Sequence, residues 1–108
     1  MVTRLNENAK KTDIFLKKYL DKQTYSGLVS PMKYGALSGG KKIRSSVILG
    51  AGKLFNINPN KLLNVCAAVE CIHSYSLIHD DLPCMDDDKI RRNKPATHIK
   101  FGESTAIL

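Results

Sequence analysis

Asn58-Pro59-Asn60-Lys61-Leu62-Leu63-Asn64-Val65-Cys66-Ala67-Ala68-Val69-Glu70-Cys71-Ile72-His73-Ser74-Tyr75-Ser76-Leu77-Ile78-His79-Asp80-Asp81 is the stretch that decides the fold. It opens with an Asn, whose side chain can accept from the first free backbone N–H groups of a helix. Pro follows at the first helical position, where a missing N–H costs nothing. No further Pro and no Gly interrupts it until Pro83, which cannot continue a helix. Apolar or small residues (Leu62, Leu63, Val65, Cys66, Ala67, Val69, Ile72, Leu77, Ile78) occur on more than one side of the helical wheel. The spacing therefore predicts one long helix to about Asp81, buried on several sides.

Upstream, Gly39-Gly40 precedes a second expected helix from about Lys41 to Phe55, and Asn56 to Asn58 form a turn. Gly27, Pro31 and Gly35 punctuate the stretch before it, which reads as loop with at most a short helical turn. The first helix is expected from about Leu5 to Lys22, with Leu5, Ala9, Ile14, Phe15 and Tyr19 inward and lysines outward. Downstream, residues 86–100 are charged and irregular. After Gly102, Ser104-Thr105-Ala106-Ile107-Leu108 reads as the opening of another helix. No strand pattern is strong, so the expected fold class is all-α.

The chain has 108 residues, enough for one small domain. With 6% aromatic residues and no Trp, aliphatic side chains must supply most of the core. No apolar run approaches the roughly 20 residues that span a bilayer, and Met1 to Lys11 lacks the apolar segment of a signal peptide. These features predict a cytoplasmic protein without stable membrane insertion. The cysteines Cys66, Cys71 and Cys84 are odd in number and form no C-x-x-C, which argues against a disulfide framework and a zinc site. Cys66 and Cys71 are expected as buried small hydrophobes.

The net charge of +7 fits a polyanion binder, yet five of the ten acidic residues fall within Asp80–Asp88. A protein that tracks a nucleic-acid backbone has little use for such a cluster, so no nucleic-acid partner is expected. A site for a metal-bound diphosphate needs both signs.

Asp80, Asp81 and Asp86 form D-D-x-x-x-x-D. Carboxylates are preferred ligands of Mg²⁺, which commonly takes one or two of them together with waters and substrate phosphates. On an unbroken helix Asp80 and Asp86 would diverge, but Pro83 permits the chain to fold back and bring them together. A solvated acidic loop is the alternative from residue type alone. Arg91 and Arg92 follow, and a guanidinium matches phosphate oxygens with a planar fork; a local ion pair with the aspartates is the alternative. His73 stands seven residues before Asp80, about two turns and 10 Å along one face, with Ser76 between, and by itself equally suits a core histidine. Gly39-Gly40-Lys41-Lys42-Ile43-Arg44 combines backbone that an anion can approach closely with cations at a helix start, although it is not a Walker loop and also reads as an ordinary basic helix start.

Val69 to Asp88, then Arg91-Arg92-Asn93-Lys94-Pro95 and His98-Ile99-Lys100-Phe101-Gly102-Glu103, together with Leu37-Ser38-Gly39-Gly40-Lys41-Lys42-Ile43-Arg44, resemble the trans-prenyl diphosphate synthases, and among them the bacterial farnesyl diphosphate synthases. The resemblance runs from about Tyr34 to Leu108. It implies the helical isoprenoid synthase fold and head-to-tail condensation of isopentenyl diphosphate with an allylic diphosphate, dependent on Mg²⁺. Carried over by motif, Asp80 and Asp86 hold Mg²⁺ with Asp81 assisting, and Arg91 contacts the allylic diphosphate. Lys41, Arg44, His73 and Arg92 bind isopentenyl diphosphate. Tyr75 and Ser76, five and four residues before Asp80, line the tail pocket, and the bulky Tyr75 resembles the pattern that stops at C15. Geranyl or geranylgeranyl diphosphate synthases are the neighbouring alternatives, and a non-catalytic basic binding module the distant one. A homodimer is also implied.

The family's chains are roughly two to three times this long, and their second aspartate-rich motif is absent here. The expectation is therefore that residues 1–108 are the N-terminal portion of a single polyprenyl synthase domain, inactive and poorly stable in isolation because part of a helical core lacks its cover.

Overall fold

The computed structural model describes residues 2–23 and 26–108. Four helices make up the body: α1 (Val2–Asp21), α2 (Ser26–Ala36), α3 (Ile43–Leu54) and α4 (Pro59–Asp80). A two-residue antiparallel ribbon follows, β1 (Ile90–Arg91) with β2 (Lys94–Pro95), pairing Ile90 with Pro95 and Arg91 with Lys94. Two short helices, α5 (Thr97–Phe101) and α6 (Glu103–Ile107), complete the described chain.

The long helix begins as its sequence dictates: the Asn58 side chain accepts from the Asn60 N–H at 3.0 Å, with Pro59 at the first position. It packs on α3 across the turn at residues 55–58, where a side chain on Gly52 would collide with Leu62, so close approach requires glycine. Burial of α4 is narrower than its composition suggests. Only Cys66 and Glu70 are buried, while Val65 and Ile72 are exposed. Cys71 is likewise exposed, and only Cys66 behaves as a buried small hydrophobe; burial raises its thiol pKa.

α1 also faces inward by a different stripe from the one expected. Ala9, Thr12, Leu16 and Leu20 are buried, whereas Ile14 and Tyr19 are exposed. The period of 3.6 residues places 9, 12, 16 and 20 on one face, with Ile14 on the opposite side and Tyr19 at the edge. The largest departure is α2, an 11-residue helix with Pro31 inside it, where breakers predicted a loop. Thr24 and Tyr25, within that expected loop, lie outside the described residues. Tertiary packing overrides the local signals: Pro31 and Ala36 are buried, and Gly35 lies against Ile78 of α4. The segment 86–100, expected irregular, contains the ribbon and α5. The helix anticipated from Ser104 is α6.

Candidate active site

α3 starts without a capping side chain of its own. Lys42, the residue before it, is in the left-handed region (φ 51°) and makes no side-chain cap. The missing acceptor comes from α4. Glu70, 3% exposed, accepts from the Ser45 N–H at 3.2 Å and the Ser45 hydroxyl at 3.0 Å. Lys42 itself is buried. Its ammonium donates to the carbonyls of Ala36 (3.2 Å) and Gly39 (3.3 Å) and lies 3.4 Å from Asp13 Oδ1, an ion-pair distance without hydrogen-bond alignment. The Gly39-Gly40 turn is thus fixed from below.

From above it is gripped by Arg92, whose Nη1 donates to the Gly39 carbonyl at 2.6 Å. Gly40 has φ +104°, and a Cβ there would stand 2.8 Å from the Arg92 guanidinium carbon. The glycine pair therefore opens room for an arginine as well as exposing backbone. Arg92 and Asn93 both have positive φ, which reverses the ribbon and carries Arg92 back over the turn.

Lys41, Arg44, His73, Arg91 and Arg92 line one cavity of about 400 Å³, with Glu70 and Asp81 in its wall. Three separate segments contribute these groups. His73, half-buried, has its pKa lowered by burial first and then by the charge of Arg44. A neutral imidazole beside guanidinium groups is a hydrogen-bond donor whose protonation an entering anion would favour.

The aspartates divide between two roles. Asp81 is 2% exposed, and its two oxygens accept from Arg91 Nε at 2.8 Å and Nη2 at 2.9 Å. That bond raises the Arg91 pKa further. Asp81, expected to assist a metal, makes a fork-to-fork pair with the arginine. Asp81, and not Asp80, shares the cavity with His73. The fold-back after Pro83 does occur: the N–H groups of Asp86, Asp87 and Asp88 donate to the carbonyls of Asp80 (2.8 Å), Leu82 (3.0 Å) and Asp81 (3.1 Å). Asp86 thereby returns to Asp80. Among the described residues neither carboxylate has an ion-pair partner, and no group of three Asp, Glu, His or Cys gathers as a ready-made metal cluster. Two free carboxylates on one lip suit a Mg²⁺ that takes its remaining ligands from water and phosphate.

Tyr75 lines a second cavity of about 290 Å³, whose wall includes Leu28, Pro31, Met32, Ile78 and Ala106. Its ring meets His79 edge-on at 5.4 Å. Ser76 lines neither of these cavities; its hydroxyl donates to the His73 carbonyl at 2.7 Å. Reasoning from sequence missed Glu70, Lys42 and Tyr34, whose hydroxyl donates to the Pro95 carbonyl at 2.5 Å and ties α2 to the ribbon. Glu70 left one signal: a carboxylate in an apolar helical run needs a buried partner.

Fold and site together define a member of the polyprenyl synthetase family, whose model matches residues 26–108; the chain belongs to that family. It is 56% identical over 81 residues to the farnesyl diphosphate synthase of Escherichia coli K12, covering 75% of this chain and 27% of that one. It is 42% identical over 105 residues to the farnesyl diphosphate synthase of Geobacillus stearothermophilus, covering 96% of this chain and 35% of that protein. The apo crystal structure of a FPP/GFPP synthase from Zymomonas mobilis superimposes with TM-score 0.91 at 38% identity, over 99% of this chain and 41% of that one. The chain thus spans about a third of the length of these curated relatives.

Proposed function

We infer that these residues form the N-terminal part of a farnesyl diphosphate synthase domain, and that the cavity at the start of α3 receives isopentenyl diphosphate. The observation that carries this reading is the convergence of Lys41, Arg44, His73 and Arg92 from three segments on one cavity. Its support comes also from relatives named farnesyl diphosphate synthase.

In this reading the four cationic or donor groups hold the isopentenyl diphosphate group. Asp80 and Asp86 hold Mg²⁺, which when bound neutralises charge on a departing diphosphate. Arg91, kept in place by Asp81, contacts the allylic diphosphate. The allylic C1–O bond breaks with its electron pair leaving on the diphosphate, the isopentenyl double bond forms the new C–C bond, and a proton leaves. Apolar walls exclude water from the developing cation. Tyr75 closes the tail pocket at C15. Homodimer formation and a cytoplasmic location belong to the same proposal; no helix among the described residues is long and apolar enough to cross a membrane.

The test is product analysis. The longest natural form of the chain, incubated with dimethylallyl and isopentenyl diphosphates and Mg²⁺, should give a C15 product by mass spectrometry. Geranyl or geranylgeranyl diphosphate would overturn the chain-length reading, and no product at all would overturn the reaction. Tyr75→Ala should lengthen the product; an unchanged C15 distribution would remove Tyr75 as the stop.

A further inference from the structure

Glu70 is an acid placed where an anion is meant to bind. It is 3% exposed and lines the same cavity as Lys41, Arg44, His73 and Arg92. A buried carboxylate in a cationic cavity weakens the cavity's pull on an anion, so its presence needs a reason that outweighs that cost.

The reason lies in how α3 begins. Lys42 supplies no cap, so the backbone N–H of Ser45, third in the helix, would be unsatisfied in a buried place. Oε1 of Glu70 accepts from that N–H and from the Ser45 hydroxyl. One carboxylate oxygen thereby fixes the first turn of α3 to α4. Arg44 is the residue before Ser45. His73 is one turn beyond Glu70 on the same face of α4, by the i, i+3 relation. Glu70 thus lies at the junction between the two helices that bring Arg44 and His73 together.

We propose that Glu70 is a positioning residue that registers Arg44 against His73 for binding of a diphosphate group. The inference rests on the reading of this cavity as a diphosphate site. The hydrogen-bonding oxygen does the work and the negative charge is incidental. An amide in its place keeps the acceptor for Ser45 and removes the charge, whereas an aliphatic side chain of similar size removes both.

Inorganic pyrophosphate serves as the probe, titrated calorimetrically into the longest natural form of the chain and its variants. Glu70→Gln should bind as tightly as the unsubstituted protein or more tightly. Glu70→Leu should bind about tenfold or more weakly, as expected when the buried Ser45 donors lose their acceptor. Leu49→Ala removes buried volume from α3 away from the cavity; it should lower the melting temperature while leaving pyrophosphate affinity within about twofold. Equal affinity for Glu70→Leu and the unsubstituted protein would overturn the proposal, and so would an equal loss in Leu49→Ala. An unsubstituted protein that ignores pyrophosphate would overturn the cavity reading and this inference together.

A second readout needs no ligand and covers the case in which Glu70→Leu fails to fold. The Glu70 charge acts on His73 in the direction that raises its pKa. In Glu70→Gln the His73 titration, followed by NMR of the imidazole, should therefore move to lower pH. A midpoint that does not move would overturn the juxtaposition of Glu70 with His73.

Discussion

The cationic cavity and the aspartate lip adjoin each other, yet they are built on opposite plans. Several groups around the cavity are held by a partner. Arg92 grips Gly39, Lys42 holds the turn from below, Glu70 caps α3 and Asp81 clamps Arg91. The fold-back of the lip is held by backbone bonds, and its outer carboxylates Asp80 and Asp86 are unpaired among the described residues. A region with partnered charges is formed before ligand arrives. Under the proposed function, a region with free carboxylates is completed by what it binds. The two should therefore respond differently to substitution: the first through stability, the second through binding.

The sharpest way to break this contrast is Asp81→Ala. It strands the partly buried Arg91 guanidinium and should cost about 3 kcal/mol, read as a lower midpoint in denaturant. A cost below about 1 kcal/mol would show that Asp81 belongs functionally with the lip. Next in size is Gly40→Ala. A Cβ at φ +104° both strains the backbone and meets Arg92, so a loss of about 1–3 kcal/mol is expected in thermal melts, together with weaker pyrophosphate binding. Asp80→Ala and Asp86→Ala should each change stability by less than about 0.5 kcal/mol, because these side chains lack partners, while abolishing Mg²⁺-dependent binding of an allylic diphosphate. A large stability loss in either would erase the distinction.

The smallest effect lies far from both regions. Asp21 has its pKa lowered chiefly by hydrogen bonding to Lys33 and then to Lys17. A carboxyl whose folded pKa is depressed contributes stability that is present above its unfolded pKa, 3.8, and is lost as pH falls through the folded value. Asp21→Asn should therefore matter slightly at neutral pH, not at all in strong acid, and less in high salt. An unchanged difference between pH 7 and pH 2 would remove the ion pair as its cause.

Much of this architecture was legible in the sequence because it is encoded locally. The Asn58-Pro59 start, the stop at Pro83 and the helix after Gly39-Gly40 each follow from two or three adjacent residues. The candidate site was legible for a related reason: its cations and aspartates occur in short ordered motifs. What stayed hidden depends on contacts between distant segments. Pro31 and Gly35 argue against a helix until α4 packs on them. Ile14 looks as apolar as Leu16 until the direction of the core is known. Asp81 resembles its neighbour Asp80 in composition, and only burial and the approach of Arg91 separate them.

The grip of Arg92 on Gly39 joins residues 53 apart in the chain, and the bond from Tyr34 to Pro95 joins residues 61 apart. The packing of α3 on α4, by contrast, closes a turn of four residues at 55–58. Closing a long loop costs chain entropy that only later contacts repay, so local pairings form early and distant ones late. By this ordering the α3–α4 hairpin should assemble before the ribbon swings back to complete the cavity. A chain halted before that step would carry the cations of the site without its pocket.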